Sequence, residues 1–304
     1  MLTTQLIGVP IDSGKRRNGC LMGPDALRTA GLAQAISELG HKVIDMGNLQ
    51  PEKTQIKASK TTHELGKTVG WTQSIGKAAF DAMPKGLPIF LGGDHAMSLG
   101  SLTGVAKYAA SQNRPQYVLW LDAHSDFHTP TTTASGNLHG TPLGYASGLS
   151  GFDDFPPVDN PILLKNICLI GLRSVDPAEQ RALEKKHTRI VDMRAIDEGG
   201  IKAPLEAFLD DIARENGLLH VSLDVDFMDP SIAPAVGTTV PGGATFREAH
   251  LVMEMLHDSG LVTSLDLAEL NPFLDDRGQT AKLLVDLTAS LLGRRVFDRP
   301  NHSY

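Results

Sequence analysis

Eight short segments of the chain are apolar and rich in β-branched residues: 5–9, 42–46, 87–91, 117–121, 167–172, 189–193, 218–225 and 262–268. Several are apolar almost without interruption over the length of a strand, the pattern of strands covered on both faces in a parallel sheet. Amphipathic segments lie between them. Three open on a capping residue with Glu three places on: Thr61 with Glu64, Asp176 with Glu179, and Thr245 with Glu248. The first is expected to carry a helix through Phe80. This alternation predicts an α/β fold: a single-domain, three-layer α/β/α arrangement over residues 1–304, with a mostly parallel sheet of about eight strands. Two loops rich in Gly, Pro and Thr, 128–161 and 229–244, are too long for tight turns. Each follows a segment that ends in acidic residues, and long loops in compact α/β folds are commonly functional.

Composition narrows the choice of partners. A net charge of −7, without any run of five like charges, argues against nucleic acid or an anionic membrane. Lys15, Arg16 and Arg17 form the only basic cluster, which reads as a solvated loop. The apolar stretch at the N-terminus meets Pro10 and Asp12 too soon for a signal peptide or a membrane span, so a cytoplasmic protein is expected. Cys20 and Cys168 stand far apart and outside any ligand spacing, which gives no support to a disulfide framework or a thiolate metal site.

Three clusters carry chemistry, each where a predicted strand gives out. Segment 117–121 runs into Asp122, His124 and Asp126, which in an extended chain would share one face. Within segment 218–225 the run 220–223 ends in Asp224, with Asp226 two places on. Segment 87–91 leads into Gly92-Gly93-Asp94-His95, where glycines permit a sharp turn and close backbone approach. Any one of these alone is better read as a helix cap or turn. Together they would converge, because ligands of an open parallel sheet bind beyond the carboxyl ends of its strands. Four carboxylates brought together without a cation would raise one another's pKa values, a cost that bound divalent ions remove. Six ligands, four of them carboxylates and none sulfur, exceed one tetrahedral zinc. Two hard or borderline ions fit better, and the ligand types favour Mn²⁺. Ions about 3.5–4 Å apart can share a water and present hydroxide to an electrophilic carbon, so metal-assisted hydrolysis is expected.

The three clusters, read as Gly92-Gly93-Asp94-His95, Asp122-Ala123-His124-Ser125-Asp126 and residues 222–230, resemble in order and spacing the metal motifs of the arginase or ureohydrolase family. The resemblance runs from Gly8-Val9-Pro10 to Ala268-Glu269-Leu270-Asn271-Pro272. It implies an arginase-like fold and two Mn²⁺ per subunit, with Asp122 and Asp224 bridging. His95 and Asp126 would complete one ion's shell, and His124 and Asp226 the other's. Loop 131–140 is similar to the arginase branch, which implies hydrolysis of the guanidinium group of L-arginine to L-ornithine and urea. By position, Thr133, Ser135 and Asn137 would hold the substrate carboxylate, His139 would shuttle protons, Asp176 would recognise the amino group with Glu179 nearby, and Glu269 would pair with the guanidinium. Asp176 and Glu179 also make a capping box, whereas Glu269 has less structural excuse and suits a cation with forked donors.

Two positions depart from the pattern. His128 stands where arginases of the animal type carry an Asn that contacts the substrate carboxylate, and Ala96 stands in place of a usual Ser. His128 keeps open a ureohydrolase for another guanidino compound: a guanidino acid, N-hydroxyarginine or agmatine. A non-catalytic metal-binding relative is the alternative of a different class. The family suggests a homotrimer or homohexamer; the chain ends at 299–304, soon after its last predicted helix, so a long tail bridging subunits is not expected.

Overall fold

A computed structural model describes residues 1–183 and 188–295; the tail at 299–304 lies outside the described residues. The eight apolar segments all form strands: β1 (Thr3–Val9), β2 (Lys42–Asn48), β3 (Leu87–Gly92), β4 (Gln116–Leu121), β5 (Ile167–Leu172), β6 (Arg189–Asp192), β7 (Leu218–Asp224) and β8 (Val262–Ala268). They make one sheet in the order β2-β1-β3-β8-β7-β4-β5-β6, and every pairing is parallel. Two segments stop short of expectation because an Asp ends them. Asp192 and Asp224 turn their carboxylates onto the backbone N–H groups of Ala195 and Asp226, capping the next helical turn in place of continuing the ladder.

The helices are α1 (Gly23–Thr29), α2 (Leu32–Glu38), α3 (Leu65–Ala82), α4 (Ser98–Ser111), α5 (Pro142–Ala146), α6 (Pro177–Leu183), α7 (Met193–Gly199), α8 (Lys202–Arg214), α9 (Phe246–Ser259) and α10 (Gln279–Leu291). Successive strand residues face opposite sides, and each side buries its own core. Leu6, Leu91, Leu119, Leu121, Val221 and Leu265 pack with α1, α2 and α7 to α10. On the other face Ile7, Val9 and Phe90 meet α3 and α4, while Val118, Trp120 and Leu169 meet Leu102 and Leu143. These two layers about one sheet are the expected α/β/α arrangement.

Helix starts are less regular than the sequence suggests. Thr245 and Glu248 form the full capping box of α9. Thr61 and Glu64 do not: Ser59 Oγ takes the N–H groups of Thr61 and Thr62, His63 N–H donates to Gly136 O, and α3 begins only after Glu64, whose φ is 39°. At Asp176 half a box forms. Glu179 accepts from the Asp176 N–H at 3.1 Å, but the Asp176 carboxylate turns to His128.

Candidate metal centre

The strand order explains how residues 174 positions apart can meet. β3, β8, β7 and β4 are consecutive neighbours at the centre of the sheet. Leu91 is paired with Leu267, Asp224 with Ala268, and Leu121 with Leu223. Registers this even bring the ends of four strands to one level, and the chain beyond them supplies His95, Glu269, Asp224 with Asp226, and Asp122 with His124 and Asp126. At the end of β3 the glycines serve close approach: a Cβ on Gly93 would lie 2.0 Å from the Ile11 carbonyl oxygen.

Three carboxylate oxygens crowd His95 Nδ1, from Asp224 at 2.9 Å, Asp122 at 3.1 Å and Asp126 at 3.2 Å. The other oxygen of Asp122 lies 3.4 Å from His124 Nδ1, which is 3.1 Å from Asp226. Two ligand groups therefore adjoin, His95–Asp122–Asp126 and Asp122–His124–Asp226, and Asp122 belongs to both. The expected single face for 122–126 does not form. The chain leaves β4 in a bend and Asp126 has φ 49°, so its residues divide between the two groups.

Burial and mutual repulsion act as expected on most of these carboxylates. Desolvation and the charge of Asp122 push Asp126 up to about 6 and raise Asp226; desolvation, then Asp226 and Asp122, raise Asp224. Asp122 is the exception. Burial raises it, but His124 and His95 outweigh that and hold it below the carboxylate range. Burial alone would lower His124, yet Asp122 and Asp226 push it up to about 12, so a proton takes the place a cation would fill. His95 Nδ1 and Asp122 Oδ2 are buried without a hydrogen-bond partner. Buried polar atoms left so are costly, and a divalent ion between them removes that cost. The donor set thus fits metal ions.

Several supporting residues were not legible in the sequence. Ser222 Oγ sits 2.8 Å from His95 Nε2, and Trp120 stacks on the imidazole at 4.2 Å. Ser222 lies two places before Asp224 on the same face of β7, a spacing that could have marked it. Ala123 N–H and Thr238 Oγ donate to Asp226. Beneath them, Asp266 accepts from Ser98 and Ser101 in the first turn of α4, 2.6 Å each, beside His220 at 3.2 Å. That network ties the helix following His95 to the sheet.

Glu269, 1 % exposed with φ 69°, accepts from His95 N–H at 2.8 Å and from His139 Nδ1 at 3.0 Å. Burial lowers the His139 imidazole, but Glu269 overrides it and the net shift is upward. Lys15 corrects the reading of the basic cluster as solvated: it is 5 % exposed and its ammonium lies against Glu269. Pairing with a buried carboxylate offsets the desolvation that keeps most lysines outside.

The remaining candidates lie along the loop between β4 and α5 and at the start of α6. His128 Nε2 is 3.1 Å from Asp176 Oδ2 and 3.7 Å from Glu179 Oε2. Glu179 is buried and accepts from Ser125 Oγ and Phe127 N–H, bracing the metal-bearing turn. Thr133, Ser135 and Asn137 form their own turn, with Thr133 Oγ 3.2 Å from Ser135 Oγ and Asn137 N–H donating to Ser135. Gly14 O accepts from Leu138 and His139 N–H, joining this loop to the Lys15 segment.

A parallel α/β sheet with paired carboxylate–imidazole groups at its carboxyl edge defines the class as an α/β protein with a candidate metal site. Comparison is more specific: the sequence profile of the Arginase family matches residues 3–293, and the chain belongs to that family. It is 58 % identical to the arginase of Agrobacterium fabrum over 98 % of this chain and 93 % of that protein. Against the arginase of Brucella melitensis it is also 58 % identical, covering 99 % of each. The native crystal structure of arginase from Bacillus caldovelox superposes with a TM-score of 0.89 at 35 % identity, over 97 % of this chain and all of that one (100 %). Among the described residues no helix is long and apolar enough to cross a membrane.

Proposed function

We propose that the chain hydrolyses the guanidinium group of L-arginine to L-ornithine and urea, with two Mn²⁺ per subunit. The observation that carries this reading is Glu269 beside His139 at the edge of the ligand cluster, 3.0 Å apart. His95 and Asp126 would hold one ion and His124 and Asp226 the other, with Asp122 and Asp224 serving both. Such ions supply Lewis acidity that makes water nucleophilic near neutral pH. Glu269 receives the guanidinium and fixes its carbon. A C–O bond forms and the C–N bond to the side chain breaks. Both protons of the water end on the leaving nitrogen, which departs as the ammonium of ornithine. Asp126 relays these protons. His139 exchanges protons with solvent; its Nδ1–H is committed to Glu269, which leaves Nε2 for transfer. His128, Thr133, Ser135 and Asn137 are assigned to the substrate carboxylate, and Asp176 with Glu179 to its amino end.

A second reading has its own observation. His128 Nε2 lies on Asp176 Oδ2, so the carboxylate assigned to the α-amino group already has a donor. A guanidino acid, which lacks the α-amino group, would dispense with the contact this donor competes for. Urea release from L-arginine, agmatine and guanidinobutyrate by the Mn²⁺-loaded protein separates the readings. Arginine is expected to be turned over fastest; absence of urea from all three with metal bound would make this a non-catalytic relative. The shared sheet supports one catalytic domain over 1–304. The family relation supports a homotrimer or homohexamer, and a cytoplasmic location is part of the same reading.

A further inference from the structure

Lys15 follows Gly14 in the segment between β1 and α1, and its ammonium is enclosed by Glu269 Oε2 and by Cys20 Sγ at 3.0 Å. On the other side of the carboxylate, Oε1 already serves His95 N–H at 2.8 Å and His139 Nδ1 at 3.0 Å. A carboxylate offers about four acceptor positions. Three strong donors take three of them, and Lys15 also cancels the charge. The fourth position, on the oxygen that a cation already holds, has only the weak donor Cys20 Sγ beside it at 3.8 Å and is left for a guanidino N–H.

We infer that Lys15 is a specificity-determining residue: by holding Glu269 Oε2 it makes the site read the guanidino group through a hydrogen bond and not through charge. The inference rests on Glu269 being the guanidino acceptor. Lys15 acts through Glu269 and is a positioning residue for it. Glu269 stays oriented by its two donors on Oε1 when Lys15 is replaced, so the loss is one of charge compensation and not of geometry. A guanidinium bound to the same carboxylate would sit about 5 Å from the ammonium, where like-charge repulsion at an effective dielectric of about 20 is worth at least about tenfold in affinity.

Calorimetric binding of guanidinium ion and of urea, its neutral and similarly planar counterpart, to the Mn²⁺-loaded protein tests this. The unaltered protein is expected to bind the two with similar affinity. Lys15→Met and Lys15→Gln are expected to tighten guanidinium about tenfold, to leave urea within about twofold, and to lower KM for the guanidino substrate without raising kcat. Lys15→Arg should restore the original ratio. A strong preference for guanidinium in the unaltered protein, or an unchanged ratio in whichever neutral variant folds, overturns the inference. Glu269→Gln separates the two levels: if it leaves guanidinium binding intact, the acceptor assignment itself fails, whereas loss of binding there with an unmoved ratio at Lys15 sinks only the role of Lys15.

Discussion

Asp126 and Glu269 hold left-handed backbone conformations, φ 49° and 69°, that side chains other than Gly rarely adopt. Such strain persists where surrounding structure over-determines it, and both residues belong to the reactive cluster. Asp126→Asn is isosteric and leaves the backbone demand unchanged while removing the proton relay. Turnover is expected to fall by about 10²–10⁴-fold, with metal-free unfolding within error of the parent; a variant that keeps full kcat would sink the relay assignment. At this scale the sequence was informative where motifs were dense. The convergence of His95, Asp122, His124, Asp126, Asp224 and Asp226 was legible because three clusters at strand ends, each ordinary alone, point to one place when read together, whereas His139 and Glu269 were pointed to by the family resemblance. Lys15 was not, because three adjacent basic residues look solvated until the carboxylate partner 254 positions away is placed. Trp120 likewise reads as ordinary core until His95 stacks on it.

All eight strands were legible from apolar runs, and the errors fell at their ends. Asp192 and Asp224 are hydrogen-bond acceptors first and strand residues second, so the apolar pattern overran them. The box at Thr61 failed because Ser59 and Gly136, outside the motif, took its donors and its geometry. The box at Thr245 is complete, and Thr245→Ala should cost about 1 kcal/mol in urea unfolding, with Thr245→Ser close to neutral. The loop after β7 is clasped by Asp229, which accepts from Ser231 N–H and Oγ and from the N–H groups of Gly242 and Gly243. The Ser231 hydroxyl, then these backbone donors, hold its carboxyl down to about 2. A depressed folded-state pKa stabilises fully above the ordinary value of 3.8 and loses that contribution as pH falls through about 2. Asp229→Asn should therefore lower Tm at pH 5, with the gap to the parent closing toward pH 2. A gap independent of pH would show that the clasp does not depend on the charge.

Across the whole molecule, the fold class followed from alternation alone, but the strand order did not. No local pattern announces that β8 and β7 lie between β3 and β4; that order is fixed by which faces the long helices can cover. The metal centre also links to global stability. It gathers four carboxylates and two imidazoles at one edge, so ions that bind only the folded chain would stabilise it by about 2.7 kcal/mol at a hundred times Kd and raise Tm. Protons compete for the same ligands, so the gain from Mn²⁺ over a chelator should shrink as pH falls from 8 to 5. Thermal scans with Mn²⁺ or EDTA across that range check this, and equal Tm values would speak against bound ions in the folded protein.

That interleaved order bears on how the protein comes into being. As the chain emerges from the ribosome, β3 and β4 are made early, yet neither finds its inner neighbour until residues 218–268 have been synthesised. Until then two parallel edges stand open, the kind of surface that invites pairing with other chains. The cluster of candidate ligands is accordingly completed only once Asp226 has been made, and a product truncated before β7 would be an aggregation hazard with that cluster incomplete.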